Sequence, residues 1–98
     1  MKYDSRIKLY KEALKQWGIN AQCMMAIEEA GELIQSLSKL WRCGEKSDKS
    51  YDKQRMLLQY EIADMDVMVE QLKLIFGQSE IEHCKNEKLE RLKKRLNL

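Results

Sequence analysis

Apolar residues return every three or four positions along almost the whole chain, and no proline interrupts them. That period belongs to α-helices, and without proline the helices can be long. Four glycines are the only residues free to break them. Strands would require more turn residues and more β-branched side chains than this composition holds. The chain reads as all-α, a single domain over residues 1–98, with a modest core of its own.

Four helices are predicted. The first covers residues 3–17, with Ile7, Tyr10, Leu14 and Trp17 on one stripe. Gly18 stops it, and Asn20 supplies an N-cap for a second helix from Ala21 to Arg42. The segment Cys43–Ser50, CGEKSDKS, has the small and polar residues of a loop. A third helix runs from Tyr51 to Phe76 and ends at Gly77. Ser79 with Glu82 makes a capping box for a fourth, which reaches the C-terminus. The expected architecture is a helical bundle of two long antiparallel helices with a shorter helix at each end. Leu33, Leu37, Trp41, Leu72 and Phe76 are too many apolar side chains for so small a monomer to cover. The bundle is therefore expected to be completed by oligomerisation, as a homodimer or homotetramer.

A net charge of +2 argues against nucleic acid as a partner. The apolar runs are too short to span a bilayer, and the charged opening MKYDSRIKLYKEALKQW is unlike a secretory signal. Three cysteines without a CxxC pair fit free thiols in a cytoplasmic protein. One histidine, His83, gives no support to a structural zinc site.

The carboxylates break this pattern. At about 100° per residue, Leu58, Ile62, Met65, Met68, Val69, Leu72, Ile75 and Phe76 share one arc of the third helix. Glu61 falls inside that arc and Asp64 at its edge. In the second helix the arc holds Ile27, Ala30, Leu33, Ile34, Leu37, Leu40 and Trp41. Glu29 borders it, Glu32 lies further round, and Glu28 further still. The i, i+3 spacing of Glu29 with Glu32, and of Glu61 with Asp64, stacks each pair on neighbouring turns. Across antiparallel helices both pairs can meet on one seam. Carboxylates gathered there repel unless they are protonated or held by cations, and an all-oxygen cluster suits Mg²⁺ or Mn²⁺. A salt bridge from Glu61 to Lys or Arg, or a solvated face for EExxE, would account for the same residues without a metal.

ExxE on one helix followed by ExxD on the next resembles the metal-binding pattern of the MazG-type all-α nucleoside triphosphate pyrophosphohydrolases. Their relatives include dimeric dUTPases, dCTP pyrophosphatases and phosphoribosyl-ATP pyrophosphohydrolase. The matching residues are Glu28-Glu29-x-x-Glu32 and Glu61-x-x-Asp64, within WGINAQCMMAIEEAGELIQSLSKLWR and LQYEIADMDVMVEQLKLIFG. The resemblance covers roughly residues 17–96. It implies that Glu29, Glu32, Glu61 and Asp64 bind Mg²⁺, with Mn²⁺ as a substitute. Glu28 becomes an accessory acid that reaches a further metal or orients water, and Glu28 and Glu29 are the catalytic candidates. The implied reaction splits an NTP or dNTP between its α- and β-phosphates into monophosphate and pyrophosphate. Metal ions that acidify a bound water need no serine or cysteine nucleophile, and a carboxylate can take the proton. No GxxxxGK[ST] loop is present, which excludes a P-loop enzyme.

Lys85 and Lys88 share a stripe with Ile81 and Leu92 on the fourth helix. With Arg91 they are candidates to hold the triphosphate, although long lysine stems also snorkel from a solvated face. Lys39 is a further phosphate contact or a salt-bridge partner. Trp17 and Gln22 could stack on a nucleobase and read its edge, although Trp17 also lies on the apolar stripe of the first helix. Two other readings compete. A di-iron carboxylate bundle needs ExxH on two helices, and only Glu80-x-x-His83 is present. A non-catalytic helical adaptor with surface acidic patches needs no metal at all.

Overall fold

The computed structural model describes residues 1–44 and 49–98. They form three helices, α1 (Tyr3–Arg42), α2 (Lys49–Phe76) and α3 (Gln78–Arg95), and no strand occurs among the described residues. None of the helices is long and apolar enough to cross a membrane.

The two helices expected before residue 43 are both present, and α1 comprises them on either side of a kink at Gly18, where the first was expected to stop. Gly18 adopts φ 84° and ψ 167°, a region open in practice only to glycine. Helical geometry resumes at Ile19, so Asn20 stands inside α1 and caps nothing. Of the expected loop, positions 45–48 lie outside the described residues, and α2 begins at Lys49, ahead of the expected Tyr51. Gly77, at φ 116°, separates α2 from α3. The expected capping box does not form, because α3 starts at Gln78 with no side-chain cap. Glu82 instead accepts a 2.7 Å hydrogen bond from Lys73 Nζ, which ties α3 back to α2. That bond and the lysine charge hold the Glu82 carboxyl below the usual range.

The arm of α1 before Gly18 folds over the C-terminal half of α2. Tyr10 is buried there, and Arg6 Nε donates to Glu70 Oε2 at 3.1 Å. The pair is partly exposed and contributes at most about 1 kcal/mol, so its use is to orient the arm. The Tyr3 hydroxyl reaches Gln78 Oε1 at the start of α3.

Beyond Gly18, α1 packs along α2 through two regular seams. On α1 one seam runs through Gln22, Ala26, Glu29, Leu33, Ser36 and Leu40, all buried or half-buried, and Cys23 and Ala30 beside it are half-buried as well. On α2 the seam runs through Tyr51, Gln54, Leu58, Glu61, Met65, Met68, Leu72 and Ile75, and towards its C-terminal end Gln71 is also buried and Glu70, Lys73 and Leu74 half-buried. Both series alternate steps of three and four, the spacing of helices wound together knobs-into-holes. The apolar arc read on α1 is therefore split. Leu33 and Leu40 face α2, while Ile27 is 64% exposed and Ile34 is 65% exposed. One partner helix covers only a narrow stripe, and the small Ala26 and Ser36 let α2 approach on this side.

The resulting core is thin. Among the described residues the buried apolar side chains are Tyr10, Ala26, Leu58 and Met68. The radius of gyration is 16.7 Å, against about 13 Å for a compact domain of this length. Because a Cβ is strained at the Gly18 backbone, Gly18→Ala should destabilise the fold by about 1–3 kcal/mol. A lower urea midpoint at unchanged m-value would register that loss.

Candidate metal centre

Glu29 and Glu32 lie one turn apart on α1, and Glu61 and Asp64 one turn apart on α2. The wound seams bring the two pairs together. One carboxylate oxygen from each of the four residues lies within 4.8 Å of the other three. Glu29 and Glu61 occupy seam positions and are half-buried, whereas Glu32 and Asp64 flank the seam and are exposed. The site is therefore walled on its inner side and open on its outer side.

The inner oxygens are orphaned. Glu29 Oε2 and Glu61 Oε2 are buried without a hydrogen-bond partner. Among the described residues no ion pair involves any of the four acids; the recorded pairs are Arg6–Glu70, Lys73–Glu82 and His83–Glu87. The salt-bridge account of Glu61 thus finds no basic partner among the described residues. Burial pushes the Glu29 carboxyl up from its ordinary 4.5, and Glu32, Asp64 and Glu61 push it further. Burial raises Glu61 likewise, with Glu32 and Asp64 adding to it. An all-oxygen group with two unpartnered inner oxygens has the donor chemistry of a hard divalent cation such as Mg²⁺ or Mn²⁺.

The other sequence candidates lie elsewhere. Glu28 is exposed on the same helix and outside the four-carboxylate group. Gln22, expected to read a base edge, is sealed in the seam two turns before Glu29, at 2% exposure. Trp17 is 61% exposed beside the Gly18 break, so it packs in no core. Lys39 is exposed on α1. Lys85 and Lys88 border a shallow apolar groove on α3 with Ile81, Cys84, Leu89 and Leu92. Arg91 lies on another face of α3, near His83, Asn86 and Lys94. The sequence reading missed Ser36, whose buried hydroxyl has no partner. Its spacing of seven residues from Glu29, matching that of Gln22, was the signal that could have placed it on the seam.

No protein-family model, no curated protein and no solved structure matches this chain.

The raised carboxyls make a prediction about stability. In metal-free solution the folded chain retains protons at Glu29 and Glu61 that the unfolded chain releases near pH 4.5. Their contribution is complete below that pH and is lost as pH rises through the folded-state values. Glu82 acts in the opposite sense, losing its contribution as pH falls below 4.5. In chelator, a Glu29→Gln, Glu61→Gln double variant should melt above wild type at about pH 7, with the gap closing towards pH 4.5. A gap independent of pH would contradict the assignment.

Proposed function

We propose that this chain is a Mg²⁺-dependent nucleoside triphosphate pyrophosphohydrolase of the MazG type. It cleaves the α–β phosphoanhydride of an NTP or dNTP to give the monophosphate and pyrophosphate. The observation that carries this reading is the meeting of four carboxylates within 4.8 Å, two of them with orphaned inner oxygens. Glu29, Glu32, Glu61 and Asp64 hold the metal, for which Mn²⁺ can substitute. When bound, the ion neutralises phosphate oxygens and acidifies water at neutral pH. Glu29 on the inner wall or Glu28 on the outer flank accepts the water proton. The exposed rim formed by Glu32 and Asp64 leaves the triphosphate free access from solvent.

Lys85, Lys88, Arg91 and Lys39 supply positive charge for the phosphates. Those on α3 are assigned to a neighbouring subunit, because α3 is tied to α2 at Lys73, more than two turns beyond Asp64. The two long helices form half of a bundle that a homodimer or homotetramer completes. The accessible surface supports this: 8070 Å², against about 5,900 Å² for a compact monomer of this mass. The setting is cytoplasmic, where nucleotides and Mg²⁺ are both at hand. A helical adaptor is the second reading, favoured by the exposed Ile34 and Trp41, and it predicts indifference to divalent ions.

Pyrophosphate release over the common NTPs and dNTPs with Mg²⁺ tests the proposal. Glu61→Gln and Glu32→Gln should each lower the rate by more than the roughly 10- to 100-fold typical of an outer-shell partner. A thermal melt adds a second readout: Mg²⁺ at a hundredfold excess over its Kd should stabilise the fold by about 2.7 kcal/mol. Activity untouched by both substitutions, or melts indifferent to Mg²⁺ and Mn²⁺ with a non-hydrolysable triphosphate present, would favour the adaptor.

A further inference from the structure

The arm of α1 before Gly18, the C-terminal half of α2 and the start of α3 enclose a cleft of about 260 Å³. That lies below the roughly 300–1,000 Å³ of sites for drug-sized molecules, so the cleft takes a smaller guest. Its wall is charged in both senses, with Asp66 and Glu70 facing Arg6 and Lys73. Asp66, Glu70 and Lys73 follow one another at steps of four and three, which sets them in one line along α2. The line is acidic at Asp66 and basic at Lys73, over about 10 Å of helix.

Bonds within the protein use only part of this set. Arg6 Nε donates to Glu70 at 3.1 Å, and Arg6 Nη1 donates to the Met1 carbonyl at 2.9 Å. Lys73 Nζ gives one proton to Glu82, and an ammonium has three. The Tyr3 hydroxyl meets Gln78 Oε1 at 3.4 Å, a long contact. What is left over differs from end to end. Among the described residues Asp66 takes part in no ion pair. Arg6 Nη2, the Gln78 amide nitrogen and two Lys73 protons have no acceptor among the described residues.

We propose that this cleft binds a free α-amino acid, with its ammonium on Asp66 and its carboxylate on Arg6, Lys73 and Gln78. A plain anion would meet Asp66 and Glu70 as like charges, and a plain cation would meet Arg6 and Lys73. A zwitterion can turn each end to its opposite, and both contacts are charge-assisted. Ile7 and the Tyr3 ring supply the apolar part of the wall, which selects an aliphatic side chain. The ligand touches the arm, α2 and α3 together. An ion pair worth at most about 1 kcal/mol is the arm's main polar tie to α2, so the amino acid acts as a latch on the arm. None of the four acids of the metal centre lines the cleft, and the assignment rests on neither the hydrolysis nor the assembly proposed above.

Equilibrium dialysis of the full chain against radiolabelled leucine, isoleucine and valine tests the assignment. At least one of them should bind saturably, at one molecule per chain. The N-acetyl derivative lacks the ammonium and the amide derivative lacks the carboxylate, and each should compete at least about tenfold more weakly. Asp66→Asn should weaken binding by a similar factor while melting as wild type does, since Asp66 is exposed. Saturating amino acid should also slow tryptic cleavage at Lys8, Lys11 and Lys15, all exposed on the arm. Glu61→Gln should bind the amino acid as wild type does, whatever becomes of its hydrolysis. No binding up to about 10 mM, derivatives that compete as well as the parent, or affinity unmoved by Asp66→Asn would overturn the proposal.

Discussion

A helix can cover only about two positions in seven of a neighbouring helix, and the character of this chain follows from which two α1 gives to α2. The positions chosen pass through Gln22, Ala26, Glu29, Leu33, Ser36 and Leu40. They include small residues, which allow close approach, and one glutamate, which arrives opposite Glu61. Had α1 turned by a single position, Ile27, Ile34 and Trp41 would have packed on α2, and Glu29 would have been left to solvent. The observed rotation gathers the acids and leaves apolar side chains outside.

That choice is costly within one chain, because half-burying two carboxylates among like charges raises their proton affinity and leaves inner oxygens unpartnered. The compensation proposed for such an arrangement is a proton or a cation at the acids, and a covering surface at the apolar row. The two demands lie on opposite flanks of α1, so both can be met at once.

Much of the helical framework was legible in the residues. The all-α class followed from spacing and the absence of proline, and Gly18 and Gly77 fall where the helix axis changes direction. Glu61 inside an apolar arc correctly announced a residue turned inwards, and the i, i+3 pairs correctly placed four acids together. Local signals were weaker guides. Asn20 and the Ser79–Glu82 pair carry the composition of caps, yet helical geometry resumes directly after the kink at Gly18, which leaves Asn20 within the first turn of the second segment and not at its cap. The nearby Lys73 claims Glu82 with a charge-assisted bond, which is stronger than a capping contact. Trp17 and Gln22 exchanged their expected environments, since a wheel drawn for an isolated helix does not know where its partner lies.

The order of apolar and charged residues by itself determined that the chain forms long helices, where they break, and which acids stack on neighbouring turns, because those properties depend on backbone geometry within a few residues. The tertiary structure alone decided how far α1 is rotated against α2. Two adjacent rows on that helix have the same three-four rhythm, and the one turned to α2 is the more polar, so hydrophobicity along the sequence does not pick it out. The observed rotation buries Ala26 and Ser36, and with it come the meeting of Glu29 with Glu61 and the exposure of Ile34 and Trp41.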